Sequence, residues 1–214
     1  MIIGVPAQEK GIRPARTLPY RLDVRATVKP SAGTVVLKFL NTGWATAVFH
    51  VRSGNPADSP RSYTVEPGKW LEGSWSVTSS YDLSVYGPNG FVRYFQGSIG
   101  SGAAVLDVVS KYDREDDHDD DRDDDRGSIK LIITNTGAKA EVSVLDAYTG
   151  HSRTRLHHRG ETWEDRSSLE QFYGWYDLIV TVENTTLLSN TGWQVTSKPG
   201  GTASQIRLSG ALLP

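Results

Sequence analysis

Five histidines, His50, His118, His151, His157 and His158, are the side chains best suited to hold a metal or move a proton in this 214-residue chain. A hydrolytic metal centre needs two or three imidazoles or carboxylates converging on one point. His157 and His158 are neighbours, so on a strand they face opposite ways and do not chelate together. His50 falls inside an alternating segment and is expected to flank the core. The chain contains no Gly-x-Ser-x-Gly elbow, no P-loop and no His-Glu-x-x-His. The stretch 97–102 is rich in glycine, but no helical pattern follows it to present amides to a phosphate. With no cysteine, disulfides, a thiol nucleophile and thiolate metal sites are excluded. No catalytic residues are therefore expected from this chain alone.

The acidic residues are distributed unevenly. Ten of the 25 acids and three of the 23 basic residues lie between Asp113 and Arg126. That segment carries −7 and the remainder +5. Its alternate carboxylates, Asp119, Asp121, Asp123 and Asp125, invite a calcium reading. An EF-hand loop begun at Asp121 would need a bidentate glutamate where Ile132 stands. No cofactor is expected, with calcium on those four aspartates as the exception to test. A run of like charges otherwise repels itself and stays solvated.

The elements that must position these residues read as strands. Tyr20–Val28, Val35–Leu40, Ala47–Val51 and Tyr81–Tyr86 alternate with period two. Asn41-Thr42-Gly43, Pro67-Gly68 and Gly87-Pro88-Asn89-Gly90 supply turn chemistry between them. No twelve-residue window has a convincing helical period; the best candidate, Glu164–Phe172, is short. No run of 18 apolar residues is present to form a transmembrane helix. The N-terminus breaks at Gly4 and Pro6, so no signal peptide is expected on this chain.

The chain also repeats itself. Leu37–Gly43 returns as Leu131–Gly137, Tyr81–Val85 as Tyr176–Val180, and Trp70 as Trp163, at offsets of 93 to 95 residues. Leu22-Asp23-Val24 returns as Leu106-Asp107-Val108 at an offset of only 84. The acidic run fills the difference, which makes it an enlarged loop between the first two strands of the second copy. The expected organisation is an extended arm over 1–19, a β-sandwich over 20–99, and a second over 103–214 with its acidic loop at 113–127. The fold class is all-β: two tandem β-sandwich domains of C2-like or immunoglobulin-like shape.

The repeat also sorts the tryptophans. Trp70 and Trp163 recur, which suits core packing. Trp44 follows the Asn-Thr-Gly turn where the second copy has Ala138. It is the best candidate for an exposed aromatic able to enter a lipid interface or stack on a sugar. Arg52, Arg61, Lys69 and Arg93 are candidates to attract phosphate beside it, with solvated strand residues as the plainer reading.

Two stretches carry a family resemblance: Pro6–Arg16 with Leu18-Pro19-Tyr20, and Tyr81–Gly97 with its Gly-Pro-Asn-Gly turn. Together with the Asn-Thr-Gly turns, they resemble the C-terminal region of bacterial phosphocholine-preferring phospholipase C. That family has an N-terminal phosphoesterase domain followed by two small β-domains. The resemblance implies a secreted or periplasmic parent enzyme of lipid catabolism whose chemistry lies in the N-terminal domain. It implies a non-catalytic accessory role for this chain, stabilising the enzyme or positioning it on phospholipid. The expected partners are that phosphoesterase domain and a membrane surface, and no nucleic acid. The alternatives are a carbohydrate-binding module and a purely structural or protein-docking one. From Asn184 onward the chain departs from the pattern, and the second copy offers no counterpart of Gly87–Phe91.

Overall fold

A computed structural model describes residues 19–99, 104–113, 127–172, 175–183 and 204–211. The first copy contributes β1 (Leu22–Lys29), β2 (Thr34–Asn41), β3 (Ala47–Ser53), β4 (Arg61–Val65), β5 (Lys69–Ser76), β6 (Ser80–Tyr86) and β7 (Val92–Ser98). The second contributes β8 (Leu106–Asp113), β9 (Ser128–Asn135), β10 (Ala140–Asp146), β11 (Ser152–His157), β12 (Thr162–Ser168), β13 (Trp175–Glu183) and β14 (Ser204–Ala211). The molecule is all-β. Two short 3-10 turns, Pro30–Ala32 and Glu170–Phe172, are the only helical pieces among the described residues. The segment Glu164–Phe172 is thus strand followed by 3-10 turn.

Alternation explains the strands. In β2, Val35, Leu37, Phe39 and Asn41 are buried while Thr34, Val36, Lys38 and Leu40 face out. β9 repeats the pattern with Ile129, Leu131, Ile133 and Asn135. A half-buried sheet rewards this period, because side chains alternate between its two faces.

Each copy packs a three-stranded sheet against four strands of a second sheet. The three-stranded sheets are β1-β2-β5 and β12-β9-β8. The opposing layer is one continuous antiparallel sheet in the order β11-β10-β13-β14-β7-β6-β3-β4. Two apolar clusters fill the sandwiches, one around Phe39, Phe49 and Leu83, the other around Leu131, Val142 and Leu178. Ile206 on β14 packs against both.

β14 is the strand that sequence repetition does not announce. It pairs with β13 on one side and with β7 on the other. β6 and β7 are joined by five residues, 87–91, whereas residues 184–203 separate β13 from β14. The strand is retained, but its spacing is not. Tyr81 pairs with Gly97, and Tyr176 with Gly210, so Tyr94 and Arg207 hold corresponding positions. Those two residues face each other across the β7–β14 seam. A local two-fold axis therefore passes through the pair and relates the two copies.

The strand registers also correct one pairing of the repeat. Trp70 lies opposite Leu40, whereas Trp163 lies opposite Ile133. Ile133 corresponds to Phe39, so the counterpart of Trp163 is Leu71. A slip of one residue moves a side chain to the other face. Trp163 leans on the second core. Trp70 faces solvent, 54% exposed, with Lys38 Nζ 4.2 Å from its ring centre. It is not a core residue.

Candidate interfacial site

The Asn-Thr-Gly turns are built the same way twice. Asn41 is buried, and its Nδ2 donates to the carbonyls of Ala45 at 2.8 Å and Val65 at 3.0 Å. Its Oδ1 accepts from the Gly43 N–H at 3.0 Å. Asn135 donates to the carbonyls of Ala138 at 2.7 Å and His157 at 3.2 Å, and accepts from Gly137 N–H at 2.9 Å. A buried amide that meets three backbone groups leaves no polar atom stranded, which is why the position tolerates burial.

One difference separates the turns. Asn41 reaches the carbonyl four residues on, Asn135 the one three residues on. The first turn is longer by one residue. Ala138 therefore corresponds to Ala45, and Trp44 is the additional residue. Trp44 is 62% exposed while its backbone N–H donates to the Pro19 carbonyl at 2.9 Å. Thr42 N–H donates to the Arg21 carbonyl at 2.8 Å. A Cβ at Gly43 would collide with the Pro19 and Arg21 backbone, so this approach requires glycine. A large exposed aromatic is thus held on a fixed backbone.

The other expected site residues do not gather around it. Lys69 shares the end of the sandwich with Trp44: it is exposed and pairs with Asn41 in the β2–β5 register. Trp70 follows it, and Leu71 is exposed as well. Arg52 lies near the opposite end of β3, on the outer face of the long sheet, with its guanidinium 6.0 Å from the Tyr86 ring centre. Arg61 is exposed on the sandwich flank, 4.6 Å over Trp75, and donates to the Ser74 carbonyl at 2.7 Å.

Arg93 is a correction. It was expected on the surface and is 1% exposed. It sits on β7 at the seam, sharing a face with Phe95. Its Nη2 donates to Ser110 Oγ at 3.0 Å and to Tyr176 Oη at 3.1 Å, and its Nη1 to the Val92 carbonyl at 2.9 Å. The guanidinium also lies 4.4 Å over the Phe91 ring. Ser110 and Tyr176 belong to the second copy, so Arg93 ties the copies together and is out of reach of a lipid phosphate. Tyr112 Oη approaches Tyr176 Oη at 3.4 Å, and burial together with that neighbour pushes the Tyr112 hydroxyl above the ordinary phenol range.

Asp119, Asp121, Asp123 and Asp125 lie outside the described residues, as does His118. His50 is exposed and bonds Ser62 Oγ at 3.0 Å, so it does not flank the core. His157, the last residue of β11, is buried, and His158, just beyond the strand, is exposed. Among the described residues no three His, Asp or Glu side chains converge as metal ligands, and no helix is long and apolar enough to cross a membrane.

Sequence reasoning missed Trp70 and Leu71 as surface residues. The signal was available: Trp70 shares parity with Glu72, Ser74 and Ser76 along β5, the polar face.

Comparison with known proteins agrees with the repeat. The chain matches the family described as bacterial phospholipase C, C-terminal domain, over residues 14–98 and again over 106–192. It is 39% identical over 187 residues to a non-hemolytic phospholipase C of Burkholderia pseudomallei, covering 83% of this chain and 25% of that protein. It is 35% identical to a non-hemolytic phospholipase C of Pseudomonas aeruginosa, covering 85% and 26%. It is 31% identical to a hemolytic phospholipase C of the same organism, covering 85% and 27%. The chain spans about a quarter of the length of these relatives.

Proposed function

The chain belongs to the family of C-terminal domains of bacterial phospholipase C, and we propose that it serves a parent enzyme as a non-catalytic accessory region. Its tasks are to stabilise the enzyme and to hold it against phospholipid surfaces. The parent acts outside the cytoplasm, with an N-terminal phosphoesterase domain as the covalent partner of this region and the site of the chemistry.

The observation that carries the reading is Trp44. The first copy lengthens a shared turn by one residue, that residue is an indole, and it is exposed on a backbone pinned to Pro19 and Arg21. A rigid exposed indole suits the headgroup level of a bilayer, where its ring is apolar and its N–H stays hydrated. Lys69 at the same end adds attraction to anionic lipid. The relatives' names, non-hemolytic and hemolytic phospholipase C, support a phospholipid surface as the one it meets.

Co-sedimentation with phosphatidylcholine vesicles, with and without anionic lipid, tests this. Binding should fall severalfold in Trp44→Ala and should not change in Arg93→Lys, whose side chain never reaches the surface. Equal binding by wild type and Trp44→Ala would remove the reading. Adding calcium to the same assay addresses the acidic loop. Binding seen only with calcium would move the lipid contact from Trp44 to that loop.

A carbohydrate-binding reading draws on one feature, an open polar cleft at the other end of the first sandwich. Asn55, Asp58, Asp82 and Gln96 line it, and such amides and carboxylates suit sugar hydroxyls. A glycan array separates the two readings.

A further inference from the structure

His157 is fully buried at the C-terminal end of β11, the edge strand of the long sheet. Both of its ring nitrogens are shielded from water, and neither meets a partner at full hydrogen-bond geometry. The imidazole lies against Trp163 with ring centres 5.8 Å apart. Its backbone carbonyl is held by Asn135 Nδ2. The corresponding residue of the first copy is Val65, placed opposite Ala47 as His157 is placed opposite Ala140. An imidazole therefore occupies a slot that an aliphatic side chain fills in the other copy.

Leaving a buried polar atom unpaired is unfavourable, and burying an unpaired cation is far more so. The groups around the ring do not offset this. β10 presents Ala140, β9 presents Asn135, and β12 presents Trp163, none of which titrates. Asp165, further along β12, is engaged by Arg153 at 2.7 Å. Arg155, on the same strand, disfavours a proton. Glu161, in the turn to β12, favours one through its charge and its backbone carbonyl, but the carboxylate accepts from the His158 N–H at 2.8 Å and the carbonyl from the Asn135 N–H at 3.1 Å. Burial, reinforced by Arg155, holds the His157 ring below its ordinary pKa.

We propose that His157 is an acid-sensitive latch: as neutral imidazole it closes β11 onto Trp163, and on protonation it releases this edge of the sheet. The direction follows from linkage. The folded chain prefers the neutral ring, whereas the unfolded chain takes up a proton near pH 6.5. Stability is complete above that pH and falls below it, by up to tenfold in the folding equilibrium per pH unit for one proton. The effect is local first, because β11 pairs with β10 alone. Its departure uncovers the hydrogen-bonding edge of β10, a surface on which another strand can add.

The test is urea unfolding of the full 214-residue chain at pH 7.5, 6.5 and 5.5, for wild type and for His157→Val, the residue the first copy uses. Amide exchange of β11 is followed in parallel. Wild type should lose stability toward pH 5.5, with β11 amides exchanging before those of β9. The variant should lose most of that slope. An unchanged slope in the variant overturns the proposal. If the variant does not fold, NMR titration of the His157 ring in wild type decides. A midpoint below 6.5, with β11 exchange rising in step, supports the latch; a midpoint at or above 6.5 overturns it.

Discussion

The two copies share a strand plan and close their flanks with different chemistry. In the first, Tyr63 stacks on Phe39 with ring centres 4.4 Å apart and leans toward Trp75, while Gly73 leaves room for the phenol ring. In the second, Asp165 occupies the place of Gly73, and Ser167 that of Trp75. Arg153 donates to both, at 2.7 and 2.8 Å. Arg61 and Arg153 hold corresponding positions, one over an indole and the other in an ion pair. One backbone frame thus accepts an aromatic or an ionic closure. What both copies keep is the inward asparagine and the alternating core, and this identifies the parts the frame requires.

The largest expected effects test that shared part. Asn41→Ala and Asn135→Ala each strip three backbone groups of their partner in a buried site. Each should cost about 3 kcal/mol, at roughly 1 kcal/mol per lost bond, measured by urea unfolding. A loss in one copy only would break the equivalence. Next, Gly73→Ala drives a methyl into Tyr63 and should cost about 2 kcal/mol, the usual range for overpacking. Asp165→Ala leaves a part-exposed Arg153 without its carboxylate, and screening limits the loss to about 1–2 kcal/mol. A larger loss there than at Gly73 would reverse the ranking of the two flanks. Smallest is Trp70→Ala, on the solvent face, which should move stability by less than about 0.5 kcal/mol.

Much of this was readable in the residues. The Asn-Thr-Gly turns, the Leu-Asp-Val starts of β1 and β8 and the Tyr-Asp-Leu starts within β6 and β13 align as the strand registers align them. These are local signals, where a turn needs an amide or a face needs an aliphatic. Pairing Trp70 with Trp163 misled because identity of residue type outweighed parity, and one residue of slip reverses the face: Trp163 packs on its core and Trp70 does not. Arg93 failed for a different reason. Its parity with Phe95 marked it as inward, but what covers it, Ser110 and Tyr176 of the second copy, arrives only with the pairing of β7 and β14. That contact joins residues more than 100 positions apart and has no local signature. The seat of Trp44 was readable; its being an inserted residue required the hydrogen bonds of the turn.

The two-fold axis through Tyr94 and Arg207 has a further meaning. β7 and β14 are the last strands of their copies, and each would be a bare sheet edge if its copy stood alone. Here each edge covers the other, through the self-matching contact that two identical subunits use in a symmetric dimer. The geometry is that of a symmetric dimer contact formed within a single chain. Because one chain carries both halves, they need not match: one face of the contact holds Arg93, opposite Leu208, where the other holds Ile206, opposite Phe95, and one turn holds an indole that the other lacks.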